Sequence, residues 1–560
     1  MLEDKIKSRI AEERKNWEDS LLTPARSKLR QPEFSSPAGI PIEPIYDPIS
    51  LEGEFDFLRD VGYPGSHPFT SGITPGMYRS EFWGSAQYSG FGTAEETNQR
   101  FKYLLAQGQT GFSIAVDLPT QLGYDPDHEL ARGEVGQVGV VLSSLREVEK
   151  LLDGLPLSQT RSVSCVINAN SSIMAAMVIA YCQIRGIDPG SFTMSFQNDV
   201  LKEFVARGNY IFPPKPSVKL SGDLIEYASK NIPRWMPFCI CGGHLHGTGA
   251  NAAQEVGLAF ANAIAQIEDV LSRGLTVDDF VSKFNCLFSG GMNLIEEVAK
   301  YRSARRLWAR LMIERFGAKK PTPLRIHAYG NPGALTAQQP LNNIARIAIE
   351  CVVAALGGVN GMSTPSHDEA LCIPTEEAVR TSLRVQQIVA HETGLTDYVD
   401  PLAGSYAVES MTNQMEKMAR EVIAKVDEQG GAVAAIEKGY IQQLLSEGAY
   451  QFQKEVETGK KCIVGVNKFR IEGEKITIPV FTVNEEAEQK SIEAVKAVRR
   501  ERDGRAVLKA LAELEKQARE GKNILPAAIE ASKAYATMQE MCDVLRNVYG
   551  SYRETPSEAF

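Results

Sequence analysis

This chain lacks several features that would have decided its class at once. Its longest apolar run, around Ile173 to Cys182, is too short to span a bilayer. The N-terminus is charged from residue 3 onward and has no apolar signal-peptide core. Nine cysteines are scattered along 560 residues without one CxxC, which argues against a zinc site or a disulfide framework. Cys239 and Cys241, two apart, would share one face of a strand as core packing. A cytoplasmic location with reduced thiols follows. Positive charge is scarce too: a net charge of -10 and a pI near 5.5 do not suit a nucleic-acid binder, although a local basic pocket for phosphates remains open. No GxGxxG or GxxxxGK(S/T) opens a helix, which weakens a Rossmann or P-loop reading.

What is present is ordinary globular composition, 43% hydrophobic and 23% charged, arranged in three stretches. Residues 1–80 form an N-terminal arm: a charged helix to about residue 20, with Ile6, Ile10 and Trp17 as sparse apolar points, then a Pro-, Gly- and Ser-rich segment. An arm of that length must lie on its own core or on a partner. Residues 81–400 alternate. Strand-like runs at Phe112–Val116, Val163–Ile167, Phe192–Phe196, Phe238–Cys241, Cys286–Phe288, Arg325–Ala328 and Val359–Met362 are mostly followed by helical segments. These include Ile173–Arg185, Ala252–Arg273, Glu296–Phe316, Pro340–Leu356 and Glu376–Thr393, with Gly186, Gly274, Gly317 and Gly394 as stops. An eighth strand is either Trp83–Tyr88 or Val138–Leu142. Alternation of this kind predicts α/β architecture, a (β/α)8 TIM barrel first and a doubly wound open sheet second. Residues 401–560 read as a C-terminal helical linker and interface region. Leu508, Leu511, Leu514, Ile529, Met538, Met541 and Leu545 are its packing points.

The chemistry concentrates between residues 197 and 249. Two apolar runs each deliver polar groups past their C-terminal ends: Gln197-Asn198-Asp199 continuing to Arg207, and Gly242-Gly243-His244-Leu245-His246. In parallel α/β proteins ligands bind at that end. An arginine and an imidazole there suit an anionic substrate with a polarised carbonyl, and equally a surface ion pair and a satisfied loop histidine. The strand ends together carry Asp117, Asn168, Gln197, His244, Asn293, His327 and Ser363, a polar ring with no three-ligand metal cluster. Ser113, Ser164 and Ser195 occupy inward positions that TIM barrels usually fill with Val, Ile or Leu. Either small polar residues are merely tolerated there or the axis stays open for an elongated ligand.

Across about residues 60 to 550 the chain resembles the large, substrate-binding part of adenosylcobalamin-dependent acyl-CoA mutases, the methylmalonyl-CoA mutase family. The resemblance rests on Gln87-Tyr88-Ser89-Gly90-Phe91, Asp117-Leu118-Pro119-Thr120, Gly123-Tyr124-Asp125 and the Gln197–Arg207 stretch. It extends through Tyr210, Pro213-Pro214, Gly291-Met292-Asn293, Leu335-Thr336-Ala337-Gln338, Asp368-Glu369-Ala370, Asp400–Tyr406 and Gly465–Lys468. It implies a barrel with the pantetheine arm of coenzyme A along its axis, and radical migration of a thioester group with adenosylcobalamin as cofactor. It further implies that Arg207 grips a free carboxylate, that His244 hydrogen-bonds the thioester carbonyl, and that Tyr88 packs on the substrate. Gln197, Ser113, Ser164, Lys283 and Asn285 would line the substrate. Glu369 would lie near the adenosyl ribose, and Asp117, Asn168 and Tyr329 would stand on the cofactor side.

The departures are as informative. Gly243 stands where the family has Tyr, and His246 where it has Gln. Glu81 and Ala86 replace basic residues that meet coenzyme A phosphates, leaving Arg79 as a substitute and Lys283 in place of an arginine. Loss of a phenol ring at residue 243 leaves space for His246 or for a bulky substrate substituent, aryl or long alkyl, with benzylmalonyl-CoA and phenylsuccinyl-CoA as the type. Methylmalonyl-CoA and a catalytically silent scaffold are the alternatives. The DxHxxG motif that ligates cobalt is absent from this sequence. The expected partner is therefore a small cobalamin-binding subunit carrying it, in a heterodimer or heterotetramer.

Overall fold

The structure, a computed structural model, describes residues 4–51, 55–475, 478 and 486–552. Nine strand segments form: β1 Gly84–Ser85, β2 Tyr88–Ser89, β3 Phe112–Ala115, β4 Val163–Val166, β5 Met194–Gln197, β6 Phe238–Cys241, β7 Phe284–Gly290, β8 Arg325–Gly330 and β9 Gly361–Ser363. All pairings between them are parallel, in the orders β2-β3-β4-β5 and β1-β9-β8-β7-β6. Both seams are closed. At one, β1 and β2 are halves of a single stretch interrupted at Ala86 and Gln87. At the other, just ahead of β6, the Met236 amide donates to the Met194 carbonyl (2.7 Å) and the Phe196 amide donates to the Met236 carbonyl (3.1 Å). Nine segments, less one for the shared first stave, make an eight-stave parallel barrel with helices outside.

The wall explains where sequence patterning worked and where it slipped. Trp83–Tyr88 overlaps the first stave, whereas Val138–Leu142 contributes only a single bridge from Val140 to Val116. β7 and β8 run past their apolar stretches because Ser289 and Tyr329 face the axis. Longer strands place His327 inside the wall instead of at its end, which corrects its place in the polar ring. The faces behave oppositely. Phe112, Ile114, Val163, Cys165, Met194 and Phe196 point outward into a core shared with helix Ser171–Arg185. On the inward face Ser113, Ser164 and Ser195 are cross-strand partners in one layer.

The arm lies on its own chain. Phe69 and Ile73 pack on Ala309, and Ala38 and Ile40 pack against Met411 and Met415. Arg306 Nη1 donates to the Asp60 carbonyl (3.0 Å) and Arg310 pairs with its carboxylate (3.0 Å). Helix Tyr406–Glu428 runs along helices Ala252–Ser272 and Leu294–Glu314. The tail helices Gly504–Arg519, Leu525–Lys533 and Met538–Tyr549 cover the β3–β5 side, burying Leu514, Ile529, Met538, Met541 and Leu545. Leu508 corrects the predicted face: it is 71% exposed, because it sits about 100° round the helix from the buried Val507. Among the described residues no helix is long and apolar enough to cross a membrane.

Candidate active site

A cavity of about 800 Å³ occupies the barrel axis. Its waist is walled by Ser113, Ser164, Ser195, Cys239, Asn285 and His327. Small side chains in place of Val, Ile and Leu leave this passage open, and Cys239 faces it instead of packing in the core as predicted. Ser195 Oγ is 3.4 Å from Asn285 Oδ1 across the axis. His327 Nε2 lies 2.8 Å from Ser363 Oγ, whose own proton goes to the Ala86 carbonyl. Burial pushes the His327 pKa down to about 4, so the ring is neutral.

The C-terminal end of the passage is built by the Gln197–Arg207 stretch. Asp199 Oδ2 accepts the Cys241 amide (3.1 Å), tying the ends of β5 and β6 together and setting where the next turn begins. That turn is the short helix Gly243–Gly247, which brings Gly243 and His244 to the cavity wall. Burial, with Lys202 and Arg207 adding positive charge nearby, holds the His244 imidazole well below its usual range and therefore neutral. Its Nδ1 is buried without a hydrogen-bond partner among the described residues. Arg207 Nη1 donates to Gln121 Oε1 (2.8 Å) and lies 3.7 Å from Glu203 Oε1, with the guanidinium reaching the cavity. The Tyr88 phenol is raised by burial against the opposing pull of that guanidinium. Lys202, fully buried, donates to Asn168 Oδ1 (2.9 Å) and Gln197 Oε1, and Gln197 lines the cavity.

The opposite mouth is basic. Arg161, Arg234, Lys283 and Arg325 all line it. Lys283 donates to the carbonyls of Ala228 and Ser229 (3.2 and 3.0 Å), and Arg234 to the Ser191 carbonyl (2.5 Å) and the Thr193 hydroxyl oxygen (3.4 Å). Glu81, one of the departures, pairs with Arg161 (3.2 Å). Arg79 is exposed and does not line the cavity, correcting its place as the substitute charge. Sequence reasoning missed Arg161, Arg234 and Arg325, yet a signal existed. Each basic residue of this mouth opens a stave or stands one to four residues before it, where a parallel barrel gathers side chains at one end.

Tyr88, Arg207, Gln197, Gly243, His244, Ser113, Ser164, Lys283, Asn285 and Tyr329 thus share one cavity. The other candidates do not reach it. His246 is turned away, its Nδ1 3.3 Å from Glu255 Oε2, because that fully buried carboxylate needs cationic and hydrogen-bonding partners. Asp117 is spent on the amides of Thr120 (3.1 Å) and Gly136 (3.0 Å). Asn168 is bound to Lys202 and Gln197. Glu369 stands just outside, 3.4 Å from the Tyr329 hydroxyl, with burial raising its pKa to about 7. Beside it, Asp368 Oδ1 and His367 Nδ1 are buried without partners among the described residues. Such unspent donors and acceptors fit the ribose and base of a nucleoside-bearing cofactor at this end.

An open-axis barrel with a basic mouth at one end and an arginine, a neutral imidazole and a phenol at the other defines a class: barrel enzymes whose site runs along the axis and can take an elongated anionic ligand. The chain belongs to the methylmalonyl-CoA mutase family, whose model matches residues 35–551. It is 39% identical to the 2-hydroxyisobutanoyl-CoA mutase large subunit of Aquincola tertiaricarbonis over 99% of both chains. It is 38% identical to the methylmalonyl-CoA mutase of Rhizobium meliloti (strain 1021), covering 97% of this chain and 76% of that one. The mitochondrial methylmalonyl-CoA mutase of Homo sapiens is 36% identical, with 94% and 70% covered. The protein is an acyl-CoA mutase, an isomerase that depends on adenosylcobalamin.

Proposed function

We propose that the chain is the large subunit of a mutase interconverting a substituted malonyl-CoA with its succinyl-CoA isomer, the substituent being bulky. Aryl is the first choice, as in benzylmalonyl-CoA and phenylsuccinyl-CoA, and long alkyl the second. The observation that carries this reading is the wall beside His244. Gly243 lines it with no side chain, and His246, the neighbour able to fill the gap, does not line the cavity and is turned toward Glu255. An unfilled void costs roughly 24 cal/mol per Å³, so the substrate is its natural tenant. An aryl group there would also stabilise a radical on the adjoining carbon.

The remaining roles follow from placement. Arg161, Arg234, Lys283 and Arg325 would take the coenzyme A phosphates, and the serine layer the pantetheine arm. Arg207 would hold the free carboxylate bidentately. A 2-hydroxyisobutanoyl group has no second carboxylate and would leave Arg207 with Glu203 alone, 3.7 Å away, as counter-charge. Neutral His244 would donate one hydrogen bond to the thioester carbonyl, stabilising charge that grows during migration without surrendering its proton. Tyr88 would pack on the reacting carbons and exclude water. Glu369, with Tyr329, would hold the adenosyl end of adenosylcobalamin, which when bound supplies the carbon radical that takes a substrate hydrogen atom. A small subunit carrying DxHxxG would supply the cobalt ligand. Supporting this, the relative that matches this chain end to end is itself named a large subunit.

The test is an assay of the reconstituted pair against a panel of substituted malonyl- and succinyl-CoA esters. Bulky esters should show the highest kcat/KM, and Gly243→Tyr should abolish their turnover. A Cβ at 243 would stand 3.3 Å from the Ser289 amide nitrogen and 3.5 Å from the Phe288 carbonyl carbon, both backbone of β7, so the loss of turnover counts only if Gly243→Tyr melts at the wild-type temperature. A higher kcat/KM with methylmalonyl-CoA than with any bulky ester would overturn the reading.

A further inference from the structure

Lys202 has every reason not to be where it is. It is 0% exposed, and an ammonium in a protein interior is costly unless all its donors are matched. Here two hydrogen bonds hold it, to Asn168 Oδ1 at 2.9 Å and to Gln197 Oε1, and the buried Glu203 carboxylate stands 3.2 Å away as its counter-charge. The partners interlock. An ammonium can only donate, so the Asn168 atom facing it must be the carbonyl oxygen, which leaves Asn168 Nδ2 to donate to Gln197 Oε1 (3.2 Å). Gln197 Oε1 therefore receives two bonds, one of them charge-assisted. The orientation of its carboxamide, often ambiguous, is dictated by the chemistry. Its NH2 is left as the part that faces away from Lys202, and Gln197 lines the cavity at the end that holds His244 and Arg207.

We infer that Lys202 is a positioning residue: it locks Gln197 with the carboxamide NH2 toward the substrate, as a second hydrogen-bond donor to the thioester carbonyl beside His244. Without the ammonium, the Gln197 side chain is free to flip and present an acceptor to an atom that itself only accepts. Asn168, held in the left-handed region at φ 48°, is the second half of the lock. This also accounts for the failure of Asn168 as a cofactor ligand: its amide is spent on orientation. The inference rests on the proposed placement of the thioester at the His244 end and not on the identity of the substituent.

The experiment is a double-mutant cycle on the reconstituted holoenzyme, run with whichever CoA ester the wild type turns over best, so that a wrong substituent does not affect it. Gln197→Leu and Lys202→Met should each lower kcat by about 10²-fold, the scale of one lost donor. The double variant should be no slower than Gln197→Leu alone, because the lysine acts through the glutamine. Multiplicative losses, or a Lys202→Met enzyme with wild-type kcat, would overturn the inference. Should Lys202→Met not fold, Gln197→Glu decides. It keeps an acceptor for Lys202 but removes the NH2, so it should be as slow as Gln197→Leu, and wild-type turnover would refute the donor role. An independent readout is the infrared carbonyl stretch of succinyl-CoA labelled with 13C at the thioester, bound without turnover. Gln197→Leu and Lys202→Met should shift it upward equally, whereas a lysine with only a structural role would leave it unmoved.

Discussion

The two ends of the axial cavity both carry positive charge and use it in opposite ways. At the basic mouth, Arg234 and Arg325 are exposed, Arg161 and Lys283 half-buried, and Arg161, Arg234 and Lys283 are anchored mostly by backbone carbonyls. At the far end Lys202 is sealed and Arg207 is three-quarters buried, both fixed by side chains that are themselves fixed. Water screens the first set, which suits a phosphate chain whose exact seat matters little. Exclusion of water from the second makes each donor worth more and its direction decisive.

The sharpest break of that contrast is His244→Ala. At the buried end it should lower kcat by about 10²–10⁴-fold with little change in KM. A change confined to KM would mean that His244 only docks the substrate. Arg207→Gln comes next, weakening transition-state binding by roughly 2–5 kcal/mol for a dicarboxylic substrate. If kcat/KM hardly moved, the carboxylate would have to be held elsewhere. The mouth should respond far less. Arg234→Ala or Arg325→Ala should cost about 0.2–1 kcal/mol, seen in KM and not kcat, and shrinking as salt is added. Equal loss of kcat from either change would erase the distinction between the ends.

The smallest effect expected on activity is that of pH. His244 is held well below 6.5 and His327 at about 4, so neither gains a proton in the folded protein near neutrality. An acid limb of kcat near neutrality should therefore come from Glu369, raised to about 7, and should vanish in Glu369→Gln while persisting in His327→Gln. Stability behaves otherwise. Below about pH 6.5 the unfolded chain takes up protons at these positions while the folded one does not, so folding weakens as pH falls through the window from 6.5 toward 4. Thermal melts of wild type and His327→Gln over that window check the sign: the variant should lose less stability on acidification.

Much of this was legible before any coordinates. Alternating apolar runs and glycine-stopped helices revealed the barrel, since burying one face of each element imposes a period that composition cannot hide. The out-of-place serines 113, 164 and 195 raised an open axis as one of two readings, Arg207 and His244 stood close to strand ends, and Tyr88 came from the family resemblance alone. Patterning fell short where polar residues stood at the ends of a strand, although β3 to β5 were found despite their inward serines. At such ends the period is broken, so β7 and β8 were drawn too short and His327 was put at an end it does not occupy.

Direction was the other thing that one dimension does not contain. His246 lies two residues from His244 yet faces away from it, toward Glu255 on the following helix, 3.3 Å off. Asp117 and Asn168 have the right chemistry for ligands and spend it on the protein. Lys202, given no role by the sequence, is sealed in the core. A residue's type and spacing set what it is able to do. Which partner claims it depends on desolvation and on groups that only the folded chain brings within hydrogen-bond reach.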